Sequence, residues 1–131
     1  MQQLSWQQFD DAVARLAERF ASESIHGVYG IPRGGLCLAV ALSHAMEQPF
    51  LLAPQAGCLV VDEVYETGQT LAGVRQQCPD AVFAVWVSKQ PPEWWEAVEV
   101  TTSDEWIIFP WSNAARAAID EQEYRASRTT S

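Results

Sequence analysis

The spacing of apolar residues divides the chain into alternating helical and extended segments. An amphipathic helix is predicted over residues 6–21, where apolar side chains recur at helical spacing after Ser5, a residue type that favours helix N-caps. A nearly all-apolar helix is predicted over residues 36–46, and a third over 70–77. Six apolar or β-branched segments are predicted strands: residues 25–31, 49–52, 59–62, 81–87, 97–100 and 106–109.

Helices that alternate with strands predict an α/β fold with a mostly parallel sheet flanked by helices. A chain of 131 residues suits one domain, so residues 1–131 are expected to form a single unit. Within it, residues 91–111 are expected to form a small hood. A last helix over about residues 112–125 is expected to begin at Ser112 as its cap, and residues 125–131 are expected to be frayed.

Charge and composition narrow the classes of function. The net charge of −9 argues against a nucleic-acid partner, since such binding depends on clustered lysine and arginine. A phosphorylated ligand remains compatible, because backbone amides, a few arginines and a divalent cation can hold phosphates. No apolar stretch reaches the ~18 residues of a membrane span. We expect a cytoplasmic protein without a signal peptide, whose cysteines (Cys37, Cys58 and Cys78) are reduced.

The most informative stretch is residues 59–71, which read Leu-Val-Val-Asp-Glu-Val-Tyr-Glu-Thr-Gly-Gln-Thr-Leu. A run of β-formers ends in Asp62 and Glu63, Glu66 follows, and a Thr-Gly-Gln-Thr turn then opens a helical pattern. Backbone N–H groups at a helix N-terminus favour an anion, and the carboxylates can hold hydroxyls or a metal ion. This combination predicts a sugar-phosphate site at the carboxyl end of a buried strand.

The same stretch resembles the phosphoribosyl diphosphate (PRPP) binding motif of the type I phosphoribosyltransferases, with Glu66 where aspartate is more usual. The resemblance implies that Asp62 and Glu63 hold the ribose hydroxyls, that Glu63 also contacts Mg²⁺, and that Glu66 is the general base near purine N7. It implies a ribose 5′-phosphate cradle in the turn, formed by Thr67, Gly68, Gln69 and Thr70.

Two further segments extend this resemblance over roughly residues 25–111. The Pro-Arg-Gly-Gly sequence resembles the family's diphosphate loop, in which Arg33 and Gly34 would contact PRPP and a non-proline cis peptide would join these two residues. The alternative is an ordinary strand-to-helix turn with a surface arginine. Lys89, the only lysine of the chain, occupies the position at which purine phosphoribosyltransferases contact the purine 6-oxygen.

Residues 104–111 resemble the hood segment of bacterial xanthine–guanine phosphoribosyltransferases. Trp106 would stack on the purine, and Ile107 would supply backbone contacts to its edge. The remaining tryptophans near the C-terminal end, Trp94, Trp95 and Trp111, are interpreted as core or interface anchors.

Two features depart from the family pattern. About six residues join Leu52 to Leu59, where family members carry a long mobile loop that closes over the reacting centre. Ser112 also replaces an acid that commonly follows Pro-Trp in the family.

The resemblance implies a purine phosphoribosyltransferase that joins guanine, xanthine or hypoxanthine to PRPP, uses Mg²⁺, and forms a homodimer or higher homo-oligomer. One alternative is a non-catalytic or weakly active PRPP- or nucleotide-binding regulator on the same fold, which the short loop favours. Another is an α/β domain whose partner is a protein, which the C-terminal tryptophans favour.

Overall fold

The structure, a computed structural model, describes residues 1–129 and divides the chain into two compact units. The central unit is Asp10–Ser103, and the terminal unit combines Met1–Phe9 with the chain from Asp104 onward. The expected hood thus contains residues of both units. Whether the chain folds as one independent domain stays a prediction.

The elements follow one another as strands separated by helices. In chain order they are β1 (Gln2–Gln3), α1 (Trp6–Arg19), β2 (Val28–Gly30), α2 (Leu36–Ala45), β3 (Phe50–Leu51), β4 (Leu59–Tyr65), α3 (Gln69–Gln77), β5 (Val82–Ser88), β6 (Glu96–Val100), β7 (Ile107–Ile108) and α4 (Ala117–Thr129).

The central unit contains a five-stranded sheet in the order β3-β2-β4-β5-β6, and every neighbouring pair is parallel. Strands β4 and β5 lie in the middle, and most of their residues are buried because neighbouring strands and helices cover both faces. The predicted α/β fold with a mostly parallel sheet is therefore confirmed, and the edge position predicted for the segment around β3 is correct.

Strand β4 is longer than the sequence predicted. It was expected to end at Asp62, but it continues to Tyr65 because Val64 and Tyr65 pair with Val87 and Ser88 of β5. Strand β2 ends earlier, at Gly30, which lies opposite Val61. The last four residues of β4 therefore extend beyond the end of β2, which leaves room beside them for the loop that follows β2.

In the terminal unit, β1 pairs in parallel with β7, and four aromatic rings pack together. These rings belong to Trp6, Phe9, Phe109 and Trp111, with Phe109 stacked on Trp111 at a centroid distance of 5.3 Å. The packing role predicted for Trp111 is therefore correct.

The start of the last helix differs from the sequence prediction. The Oγ of Ser112 accepts a hydrogen bond from the Phe109 amide, whereas Asn113 caps the following turn through a bond from the Ala115 amide to its Oδ1. Ser112 is therefore not the cap. The prediction of fraying from residue 125 is also wrong as far as residue 129, because α4 continues to Thr129; residues 130 and 131 lie outside the described residues.

Within residues 1–129, no helix combines the length and the apolar character that crossing a membrane requires.

Candidate active site

Three loops lie together at the end of the central sheet where its strands finish, which we call the carboxyl edge. They follow β2, β4 and β5, which are adjacent and parallel, so their carboxyl ends point the same way. Ligands of parallel α/β sheets bind beyond these ends. The loops contain Arg33 and Gly34, Glu66 with the turn that leads into α3, and Lys89, and the last residues of β4 add Asp62 and Glu63.

The first feature of this edge is a pair of adjacent carboxyls on β4. Asp62 is nearly fully buried and Glu63 is partly exposed. The Glu63 amide donates a hydrogen bond to Asp62 Oδ1 at 2.9 Å. The part of β4 that extends past β2 therefore carries two adjacent acids whose carboxyl groups interact electrostatically.

The surroundings of these acids favour their protonated forms. Burial raises the pKa of Glu63 well above its ordinary value, and repulsion from Asp62 raises it further. Burial also raises the pKa of Asp62, although hydrogen bonds from Glu63 to its carboxylate oppose this effect. The pKa of Glu63 is therefore raised more strongly than that of Asp62.

The loop after β2 lies directly against this acid pair. A Cβ atom added to Gly34 would overlap the carboxylate of Glu63, so only glycine permits this approach. The amide of Gly35 donates to the Ile31 carbonyl, which closes the turn, and the Arg33 side chain is exposed. The non-proline cis peptide precedes Arg33, between Pro32 and Arg33, so the position implied by the resemblance, Arg33–Gly34, is wrong by one residue.

The turn after β4 opens helix α3. Gly68 is its N-cap residue with φ of 79°, a left-handed conformation that favours glycine. Thr67 Oγ1 accepts from the Gln69 amide at 3.4 Å, and the side chains of Thr67, Gln69 and Thr70 are exposed. The N-terminus of a helix favours an anion, and the contact of this turn with a 5′-phosphate stays a prediction.

Glu66 and Lys89 form an ion pair at the same edge. Lys89 Nζ lies 2.7 Å from Glu66 Oε1, and the two side chains are only 9% and 15% exposed. The Lys89 amide donates to the Tyr65 carbonyl at 2.8 Å, and Gln90 Nε2 donates to the Glu66 carbonyl at 2.6 Å. The structure therefore joins the residue expected to be the base to the residue expected to contact the purine.

Trp106 and Ile107 belong to the terminal unit. Trp106 is half-buried, and its ring centroid lies 5.6 Å from that of Tyr124. The Trp106 backbone carbonyl accepts a hydrogen bond from the Gln2 amide. Ile107 is buried and is paired with Gln2 in the β1–β7 ladder. Their contacts with a purine stay predictions.

Sequence reasoning missed two residues that support the site, Tyr65 and Ser88, because no motif points to either. The packing role predicted for Trp95 is confirmed by its burial at 3% exposure. The Trp95 ring also stacks on Tyr65 and bonds to Ser88. No local pattern reveals these contacts, because they join the ends of β4 and β5 to the segment before β6.

The donor set suits a cation that arrives with its ligand. Among residues 1–129, no group of three or more His, Cys, Asp or Glu side chains could hold a metal ion. Asp62 and Glu63 nevertheless offer carboxylate oxygens, which Mg²⁺ prefers, and Mg²⁺ commonly binds one or two carboxylates together with substrate phosphates. The two acids therefore fit Mg²⁺ that also contacts a bound diphosphate.

Comparison with known proteins places the chain in a family, although no protein-family model matches it. It is 30% identical over 144 residues to a xanthine–guanine phosphoribosyltransferase of Cereibacter sphaeroides, with 85% of this chain and 86% of the relative covered. A xanthine–guanine phosphoribosyltransferase of Idiomarina loihiensis is 29% identical over 138 residues, with 82% of this chain and 84% of that relative covered.

The fold is also similar to that of a purine phosphoribosyltransferase from Pyrococcus horikoshii. That comparison has a TM-score of 0.73 at 24% identity and covers 85% of this chain and 93% of the other. The chain therefore belongs to the type I phosphoribosyltransferases, in the xanthine–guanine phosphoribosyltransferase family, and is an enzyme of the transferase class.

Proposed function

We propose that this enzyme transfers the phosphoribosyl group of PRPP to a 6-oxopurine, which is guanine, xanthine or hypoxanthine. The observation that carries the proposal is the convergence of three loops at one sheet edge. These loops hold the Gly34 turn and the Glu66–Lys89 pair beside the Asp62–Glu63 pair of β4, all within the central unit.

PRPP would lie along the ends of β2 and β4. The turn of residues 67–70 would hold the 5′-phosphate through its amides and hydroxyls, and Arg33 would contact the diphosphate with its exposed guanidinium. Asp62 and Glu63 would accept hydrogen bonds from the ribose hydroxyls, and Glu63 would also contact Mg²⁺, which would offset charge on the leaving diphosphate.

The purine would bind beside Lys89. The Lys89 ammonium is paired with Glu66, so the purine 6-oxygen would compete with a carboxylate for that cation. Once Lys89 turns to the purine, the Glu66 carboxylate is released and can accept the proton that the purine loses.

The reaction would exchange one bond at ribose C1′ for another. The bond from C1′ to the diphosphate oxygen breaks, and diphosphate leaves with the electron pair. A purine nitrogen forms the new bond to C1′, and its proton passes to Glu66. The residues would act mainly by positioning the reactants and by offsetting charge.

The test is a spectrophotometric assay with PRPP, Mg²⁺ and each of guanine, xanthine and hypoxanthine. We expect nucleoside monophosphate and diphosphate to form in equal amounts with at least one purine. A chain that binds PRPP with Mg²⁺ in calorimetry but forms no nucleotide with any of the three would contradict the proposal.

A second candidate is a PRPP- or nucleotide-binding regulator, which one observation favours. The connection between β3 and β4 has only seven residues, 52–58, and its second half is held by bonds from Cys58 N to Gln55 O and from His26 N to Gly57 O. Such a segment is too short to close over a site. The same assay and calorimetry distinguish this candidate from the enzyme.

The cytoplasmic location and the homo-oligomer also stay predictions; light scattering behind size-exclusion chromatography tests the second.

A further inference from the structure

Trp95 lies between the two halves of the proposed site. Its ring stacks on Tyr65 with a centroid distance of 3.8 Å and an interplanar angle of 13°. Its Nε1 donates a hydrogen bond to Ser88 Oγ at 3.2 Å. Tyr65 and Ser88 are the last residues of β4 and β5 and are direct partners in the ladder. One buried side chain therefore contacts the end of each strand.

Tyr65 connects this stack to the phosphate turn. Its ring is buried, and its hydroxyl lies directly beneath Gly68, so that a Cβ atom at Gly68 would overlap it. The left-handed Gly68 starts α3, whose amides would face the 5′-phosphate. A displacement of the Tyr65 ring would therefore be felt at the turn, because packed side chains transmit small shifts.

Ser88 connects the same stack to the purine side. This fully buried hydroxyl donates to the Gln90 carbonyl at 2.6 Å while it accepts from Trp95. Gln90 in turn donates through Nε2 to the Glu66 carbonyl. Ser88 thus fixes the turn that carries Lys89, since residues 88–90 are held by bonds on both sides of the lysine.

We propose that Trp95 is a positioning residue that couples occupancy of the phosphate turn to binding of the purine. The inference rests on the proposed function, since it assumes that both ligands bind where described. Trp95 touches neither ligand; it acts through Tyr65 on Gly68 and through Ser88 on the Lys89 turn. A residue that served only to fill the core would change stability without changing this coupling.

The experiment measures the dissociation constant of hypoxanthine by calorimetry, with and without saturating ribose 5-phosphate. We expect ribose 5-phosphate to tighten hypoxanthine binding by about five-fold or more in the unmodified protein, the usual lower range for coupled sites. Trp95→Phe keeps a ring but removes the N–H donor, and Ser88→Ala removes its acceptor. In both variants, the ratio of the hypoxanthine dissociation constants without and with ribose 5-phosphate should fall towards one.

Trp6→Phe is the control. Trp6 belongs to the terminal unit, where its ring contacts Phe9 and Trp111, and the proposed relay through Tyr65, Trp95 and Ser88 does not include it. This substitution should leave the coupling unchanged. Thermal unfolding of each variant identifies those that fold, and the small change in Ser88→Ala keeps the test valid if Trp95→Phe is unstable.

The outcomes separate the inference from the function. If the unmodified protein binds both ligands but shows no coupling, or if Trp95→Phe and Ser88→Ala retain it, Trp95 only packs the core. If the unmodified protein binds neither ribose 5-phosphate nor hypoxanthine, the proposed function itself is wrong.

Discussion

Two pairs of ionisable residues lie at or just beyond the end of β4, and their electrostatics are opposite. Asp62 and Glu63 are adjacent acids, and burial raises the pKa of both. Glu66 and Lys89 are opposite charges at 2.7 Å that satisfy each other. The same strand end therefore carries one pair that needs positive charge and one pair that is already neutralised.

This difference predicts that electrostatics contribute differently to the binding free energies of the two ligands. A ligand that brings a cation to Asp62 and Glu63 removes the repulsion between them and displaces a proton. A ligand that needs Lys89 must first separate it from Glu66, and a poorly solvated ion pair is costly to break. We therefore expect PRPP with Mg²⁺ to gain affinity from the protein's electrostatics, whereas the purine must compete against them.

The largest effect is expected from Gly34→Ala, which tests the acid pair. The added methyl group would overlap the Glu63 carboxylate and move either the acid or the loop. Because small misplacements can cost about 100-fold in rate, we expect kcat/KM to fall by about that factor. Steady-state kinetics with PRPP as the varied substrate measures the change.

Gly73→Ala is the control for this substitution. Gly73 lies inside α3, where an added Cβ meets nothing within 4 Å, and alanine favours a helix by roughly 0.5–1 kcal/mol over glycine. Its kcat/KM should be unchanged and its unfolding free energy should rise. Equal activity in the two variants would mean that the Glu63–Gly34 contact is dispensable.

A second substitution, Lys89→Ala, tests the ion pair. It removes the expected contact to the purine 6-oxygen and leaves Glu66 without its cation. Since a hydrogen bond to a charged group contributes roughly 1.5–3 kcal/mol, we expect the KM for the purine to rise about ten-fold or more. The KM for PRPP should change much less. Arg15→Ala, on the exposed surface of α1, is the control, and equal rises in both constants would count against purine contact.

The raised pKa of Glu63 predicts a pH-dependent stability. The folded protein holds a proton between pH about 4, where ordinary carboxyls ionise, and the raised pKa, whereas the unfolded chain has lost it. The unfolding free energy contributed by the pair therefore falls as pH rises through that window. Glu63→Gln should lose this dependence and gain stability relative to the unmodified protein on the order of 1 kcal/mol at pH 8.

Urea unfolding at pH 5 and pH 8 measures this difference, with Glu18→Gln on the exposed surface of α1 as the control. A gain that is the same at both pH values would show that Glu63 is ionised throughout.

The smallest effect concerns ligand affinity. Binding of Mg²⁺ requires ionised carboxylates, so PRPP with Mg²⁺ should bind more tightly as pH rises from 6 to 8, by less than about ten-fold per pH unit, the limit for one released proton. Calorimetry in two buffers of different ionisation enthalpy counts the protons released. PRPP itself ionises in the same way when the Glu63→Gln variant is titrated, so this variant should show a weaker pH dependence of affinity. An identical pH dependence would mean that the ligand titrates and Glu63 does not.

The sequence predicted the features that depend on local pattern. Residues 59–70 alone specify a strand, two acids, and a turn into a helix, and Gly68 has the left-handed conformation that such a turn needs. Periodicity located α1 and α2 to within about two residues. The Glu66–Lys89 contact was not specified, because it depends on the register of β4 against β5, which the sequence does not display.

Other features were out of reach for similar reasons. Gln2 and Gln3 are polar and give no strand signal, so β1 exists only through its pairing with β7. Ser112 and Asn113 are both good cap residues, and the choice between them follows from the Phe109 amide, which occupies the serine hydroxyl.

The short connection of residues 52–58 bears on whether bound PRPP is hydrolysed in a side reaction. A segment tied back at Gly57 and Cys58 cannot fold over the anomeric carbon, so that task falls to other groups. If the purine itself shields this carbon, an enzyme loaded with PRPP alone is exposed to solvent attack. We then expect slow hydrolysis of PRPP to ribose 5-phosphate when purine is scarce, and its suppression once the base is bound.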